Sequence, residues 1–190
     1  MDPDAAISVR ALTKRFGDFV AMSHGFALFE DLTVEENLRF YAGVYGVPAA
    51  DYAERRAYTL RMADLLRRER ELPANLSVGV RQQLALGTAT IHRPDLLFLD
   101  EPTSGVDPVG RRRFWDLLYD LAGGGVTLFV TTHFMEEVRN CTRVGFIYRG
   151  RIIADGSPNG LRGAGLTGQA RPSIEDVFVA LVSRHDGNAG

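Results

Sequence analysis

The segment Leu96-Leu97-Phe98-Leu99-Asp100-Glu101-Pro102 constrains this chain more than any other. A short, continuous apolar run is the pattern of a strand buried on both faces, as in a parallel sheet. Such a strand delivers Asp100 and Glu101 at its C-terminal end, where α/β sheets place their ligand sites. Two carboxylates there suit nucleotide hydrolysis: Asp100 to hold Mg²⁺ through water, Glu101 to orient or deprotonate the attacking water. The plainer alternative is a strand that ends in acidic turn residues.

The rest of the chain alternates in the same way. Residues 7–12 read as a short strand. Thr33-Val34-Glu35-Glu36 is a capping box, so a helix is expected over residues 34–45, stopped by Gly46 and Pro48. A second helix over about residues 50–70 turns Leu60, Met62, Ala63, Leu65 and Leu66 to one side. Its other side carries Arg55, Arg56, Arg61, Arg67 and Arg68, a solvated face in preference to a phosphate-binding one. Ser77 can cap a third helix over residues 78–91, closed by Pro94. A helix over residues 111–121 leads through Gly123-Gly124-Gly125 to a second buried strand, 126–131. A helix at 134–140 leads to a strand at 144–148, and Arg149-Gly150 turns it into a hairpin with residues 151–154. Residues 156–172 read as loop, and Ser173 caps a terminal helix. Apolar strands alternating with helices predict an α/β fold with a mainly parallel sheet.

Composition narrows the function. With 22 basic and 24 acidic residues the net charge is −2, which argues against a general nucleic-acid binder. The one cysteine, Cys141, excludes an internal disulfide and a multi-cysteine zinc site. No apolar run approaches the roughly 18 residues of a membrane span, and the acidic start Met1-Asp2-Pro3-Asp4 is not that of a secretory signal. Of the 22 basic residues only Lys14 is lysine, which limits how phosphate can be held.

Around the carboxylate pair, three further segments stand in a fixed order. Upstream is Leu76-Ser77-Val78-Gly79-Val80-Arg81-Gln82-Gln83; downstream are Ser104-Gly105-Val106-Asp107 and then Thr131-Thr132-His133. In this order and spacing they resemble the ATP-binding subunits of ATP-binding cassette (ABC) transporters, over residues 30–182 and further at 7–20. The resemblance identifies residues 76–83 with the family signature, Asp100-Glu101 with Walker B, 104–107 with the D-loop and His133 with the switch histidine. It implies catalytic roles for Glu101 and His133, the latter at the γ-phosphate, and a Mg²⁺ role for Asp100. Ser77 and Gly79 would cap ATP held by an opposite subunit, since free amides and the dipole at a helix start favour phosphate; a plain helix cap is the alternative for Ser77. Asp107 would bridge two protomers, or be an ordinary turn aspartate. Phe16 resembles the aromatic that stacks on adenine, with core packing as the competing role. Val78 stands where the signature usually has glycine, and a β-branched side chain there is expected to crowd the phosphate. The segments at 30–38 and 148–151 look most like multidrug-type exporters. ATP and Mg²⁺ are the implied ligands, and the implied partners are a transmembrane subunit and a second cassette at the inner face of the membrane, in the cytoplasm.

One family element is missing. No stretch of the chain matches the P-loop, G-x-x-x-x-G-K-[ST], whose amides wrap the phosphates and whose lysine contacts them. Lys14, followed by Arg15 and preceding Phe16, cannot fill that role. Residues 16–20 resemble the segment before the family's next strand, while residues 26–31 already resemble the one after its Q-loop; His24 stands near the Q-loop position. An internal deletion of more than one βαβ unit, itself roughly 30 residues, accounts for both. The expectation is an incomplete P-loop NTPase core: an N-terminal remnant (1–29), a helical subdomain with the signature (30–92) and the Walker B, D-loop and switch half (93–190). Its own nucleotide affinity should be weak, and sheet edges and apolar faces are left uncovered. The competing readings are a non-catalytic module lending its signature to an intact cassette, a soluble ATPase of DNA maintenance or translation, and an inert remnant. The long coiled coils or doubled cassettes of the soluble relatives are not seen here.

Overall fold

Thr33 opens the first long helix because its side chain accepts the Glu36 amide while the Glu36 carboxylate takes the Thr33 amide at 2.8 Å. The computed structural model describes residues 21–22, 28–164, 167 and 170–187. The expected strand at 7–12, Lys14, Phe16 and His24 lie outside the described residues. In order the elements are β1 (Ala21–Met22), α1 (Val34–Val44), α2 (Ala49–Met62), α3 (Val78–Thr90), β2 (Leu96–Asp100), α4 (Pro108–Gly123), β3 (Thr127–Thr131), β4 (Val144–Tyr148), β5 (Arg151–Gly156), α5 (Pro158–Gly163) and α6 (Ile174–Gly187), with 3₁₀ turns at Pro73–Asn75 and Met135–Asn140.

β1, β2 and β3 form a parallel sheet in that order, with Leu97 opposite Leu128 and Asp100 opposite Thr131. The fold is therefore α/β with a small parallel sheet. Leu97 and Leu99 are buried with Phe114, Trp115 and Leu118 of α4 and Leu86 of α3. The other face brings Phe98 and Phe129 together, ring centroids 5.4 Å apart, and leaves Phe129 55% exposed. β3 was expected to be buried throughout, yet exposed and half-buried residues alternate along it. The reason is its place: it is the outer strand of the described sheet and lacks the cover that a central parallel strand has on both faces. β4 and β5 form a separate antiparallel pair whose Arg149 (φ 47) and Gly150 (φ 74) make a two-residue turn of the type that suits hairpins.

The helices α1 to α3 pack on their own core of Val34, Leu38, Leu60, Leu65, Leu76 and Leu84. α2 and α3 approach so closely that a Cβ at Gly87 would lie 2.3 Å from Thr59 Cγ2. α2 ends at Met62, eight residues short of the expected boundary, and Asp64 (φ 54) and Arg67 (φ 69) turn left-handed. The chain leaves the helix so that the carbonyls of Glu69 and Glu71 can accept the free amides of Glu35 and Val34, both at 2.9 Å. Leu65 is consequently buried and Leu66 is 54% exposed, against the single apolar face expected. The arginine side of α2 is tied down in part: Arg56 pairs with Glu35 and Glu69, and Arg55 with Asp51. The expected helix at 134–140 is a 3₁₀ turn, and the stretch read as loop contains α5, with Ser157 as its cap and Pro158 in its first turn.

His92 lies against Tyr45, ring centroids 4.2 Å apart, and its buried Nδ1 has no hydrogen-bond partner. Burial, assisted by the Arg55 charge, holds this imidazole below its ordinary 6.5. The neutral ring is favoured in the folded state, so its stabilising contribution is present above pH 6.5 and lost as pH falls through the lowered value. The variant His92→Phe keeps the ring contact and is expected to flatten the thermal-midpoint profile below pH 6.5.

Candidate active site

β2 and β3 end side by side, and the two chain segments that leave them carry the candidate residues. Glu101 has φ +46, a left-handed conformation uncommon for a residue with a Cβ. Its amide donates to the Thr131 carbonyl at 3.0 Å and to Thr131 Oγ1 at 3.1 Å. The Thr131 hydroxyl in turn donates to Asp100 Oδ1. This sharp turn brings the Glu101 carboxylate to His133, with Nδ1 of the ring 3.1 Å from Oε2. The imidazole is half exposed and packs on Phe134 at 4.1 Å, while the Arg111 guanidinium lies over the Phe134 ring at 4.4 Å. Asp100, Glu101 and His133 thus share one end of the sheet.

Ser77, Gly79 and Asp107 form a second group, where α3 and α4 begin. Ser77 is the N-cap of α3 and accepts the Val80 amide at 3.4 Å. Asp107 is the N-cap of α4 and accepts the amides of Val109 and Gly110, each at 3.0 Å. Those two amides, Gly110 first, hold its carboxyl below the usual carboxylate range. The helix starts abut, since a Cβ at Gly79 would lie 3.5 Å from Val106 Cγ1 and 3.9 Å from the Gly110 Cα. Val78 is 38% exposed beside them. Phe16 lies outside the described residues.

Three polar residues at the site carried no role in the sequence reading. Glu137, only 3% exposed, accepts the hydroxyls of Thr103 and Thr132, both at 2.7 Å. Each hydroxyl lies within two residues of Glu101 or His133. The signal available was weak: a glutamate four residues past a histidine is common on any helix.

Asp100 is the carboxylate expected to hold Mg²⁺, and its Oδ1 accepts the Thr131 hydroxyl. Among the described residues no three His, Cys, Asp or Glu side chains cluster to hold a metal. These residues do not make a Mg²⁺ site alone; magnesium needs several ligands and commonly takes them from substrate phosphates. A cleft of about 390 Å³, lined by Arg55, Tyr58, Asp95, Asp120 and Val126 among others, lies at the opposite ends of β2 and β3.

A family model described as "AAA domain, putative AbiEii toxin, Type IV TA system" matches residues 28–139. Over 166 residues the chain is 42% identical to the probable multidrug ABC transporter ATP-binding protein YbhF of Escherichia coli strain K12, covering 87% of this chain and 28% of that protein. It is 42% identical over 132 residues to Nod factor export ATP-binding protein I of Cupriavidus metallidurans, covering 69% of this chain and 44% of the relative. A solved ATP-binding subunit of an ABC transporter is similar at TM-score 0.73 and 29% identity, covering 85% of this chain and 67% of the other. The chain therefore spans less than half the length of either curated relative.

Proposed function

We propose, from the premise that this chain belongs to the family of that AAA-domain model and shares its sequence with ATP-binding proteins of ABC transporters, that it is the ATP-binding subunit of an exporter and does not turn over ATP alone. The observation that carries the proposal is the Glu101–His133 contact of 3.1 Å in a chain with no P-loop. An internal deletion of the P-loop region leaves the hydrolytic half of the site without its phosphate cradle. The description of the matching family also speaks of a toxin, but by name one relative above is a multidrug ABC transporter protein and the other a Nod factor export protein, which favours transport.

In this reading Glu101 orients the attacking water, His133 faces the γ-phosphate and Asp100 faces the metal that arrives with the nucleotide. None of these groups replaces the charge-assisted phosphate contacts of a P-loop, each worth about 1.5–3 kcal/mol. Ser77 and Gly79 remain available to ATP bound by a second cassette, because the first turn of α3 is exposed at Ser77 and Val78 and contains no acidic residue. Asp107 stands next to them, at the same face. A transmembrane subunit would dock at the membrane's inner face on the apolar ridge of Phe29, Phe40 and Val44, which are 44%, 43% and 61% exposed. Among the described residues no helix is long and apolar enough to cross a membrane.

The test is ATP turnover by the purified chain beside Glu101→Gln, alone and mixed with an intact cassette. The chain alone is expected to match Glu101→Gln, and turnover that depends on Glu101 would overturn the proposal. In the mixture, stimulation of the intact cassette that Ser77→Arg abolishes would establish that α3 serves in trans. A flat titration with folded chain would remove that role.

A further inference from the structure

We propose that Glu137 is the positioning residue that sets Glu101 and His133 face to face, an inference that rests on reading those two as the hydrolytic pair. Glu137 sits in the 3₁₀ turn after His133, and its two oxygens accept from different segments: Oε1 from Thr103, Oε2 from Thr132. Thr103 follows Glu101 by two residues and is 1% exposed; Thr132 directly precedes His133 and also accepts the Phe134 amide at 3.0 Å. One buried carboxylate therefore ties the turn after β2 to the turn after β3. The Glu101 amide on Thr131 is a second tie between these turns; it fixes the Glu101 backbone and does not reach the His133 side chain.

The chemistry of the tie argues for precision over stability. A carboxylate removed from water is costly unless its lone pairs are filled, and a well-packed apolar side chain of similar size would stabilise the interior at least as well. Among the described residues no cation pairs with Glu137. What the carboxylate offers instead is geometry, with two short hydrogen bonds aimed in fixed directions. Glu101 needs such restraint, since its left-handed backbone persists only where its surroundings over-determine it.

The tautomer of His133 reports the pairing. An imidazole that donates Nδ1–H to a carboxylate is held in the Nδ1–H form, and the hydrogen bond on one nitrogen decides which carries the proton. ¹⁵N-histidine spectra, with His133 assigned through His133→Gln, would be recorded at about pH 8.5, where an ordinary imidazole is neutral. In Glu137→Leu, which keeps the bulk and removes both acceptors, the Nδ1–H to Nε2–H ratio at His133 is expected to fall about fivefold, the population equivalent of one net hydrogen bond. The variant Glu137→Gln, whose amide can still bridge both hydroxyls, should stay within about twofold of the native ratio. The His185 spectrum should not change in either variant. If Glu137→Leu folds, by near-UV circular dichroism, and keeps the native ratio at His133, the proposal is wrong. Should it not fold, Thr103→Val decides, with a fall in the ratio supporting the tie and a native ratio overturning it. No nucleotide enters the measurement, so its outcome is independent of the ATP turnover by which the proposed function is tested.

Discussion

Replacing Asn37 with leucine is expected to lower the unfolding free energy by about 3–5 kcal/mol, the sum of the backbone groups left without partners. Asn37 is fully buried on α1 and serves the whole turn that precedes the helix. Its Oδ1 accepts the Phe29 amide at 2.9 Å, and its Nδ2 donates to the carbonyls of Phe29, Leu32 and Thr33 at 2.9–3.0 Å. Leucine fills the space and offers none of this. The Phe29 amide and the Leu32 carbonyl lose the partners seen here, and the chain from residue 28 to 33 loses its anchor. Asn37→Asp, which keeps the acceptor but sets a second carboxylate oxygen against the carbonyls of Phe29, Leu32 and Thr33, should cost at least as much. Urea unfolding followed by circular dichroism measures the difference; a loss under about 1 kcal/mol for Asn37→Leu would show that water replaces these bonds at little cost.

Phe114→Ala should be as damaging, at about 3–5 kcal/mol. Phe114 is 1% exposed and packs on α4 with Leu97 and Leu99, the inward side chains of β2. A two-sided sheet can absorb a hole in one layer through the packing of the other. Here Phe129 on the far face is 55% exposed, so α4 carries most of the apolar burial of this sheet. The cavity would lie directly under the strand that ends in Asp100 and Glu101. Calorimetry of the variant should show the lowered midpoint, and a drop of less than about 3 °C would mean that the sheet draws its stability from elsewhere.

How much of this was legible in the sequence depended on whether the cause was local. The apolar run 96–99, the capping box at Thr33 and Glu36, and the Arg149-Gly150 turn are short-range signals, and the corresponding elements formed where the pattern put them. The family order of motifs placed Asp100, Glu101 and His133 on one sheet end, since parallel strands in register bring their following turns together. What could not be read depended on residues distant in sequence. α2 stops at Met62 with no glycine or proline to mark it, because the carbonyls of Glu69 and Glu71 are needed by α1. Glu137 looks like an ordinary polar helix residue until the turn after β2 folds over it. The exposure of β3 follows from what lies beside it, which no pattern within residues 126–131 expresses.

The separation of the two sheets bears on cooperativity. Among the described residues β4 and β5 pair only with each other, and Phe146 is buried with Val138, Leu161, Ile174 and Val177, none of which belongs to the cores under α1 or α4. The C-terminal hairpin with α5 and α6 is therefore expected to open as a unit of its own, joined to the carboxylate end of the sheet through the turn at Met135–Asn140. A single all-or-none transition is not the behaviour such an arrangement dictates. Opening of the hairpin unit removes Val138 from its core and loosens the turn that holds Glu137, while the helices around Leu38 and Leu84 stay packed. The pairing of Glu101 with His133 is thus only as persistent as the less stable of the two cores beside it, the one under α4 and the one around Phe146.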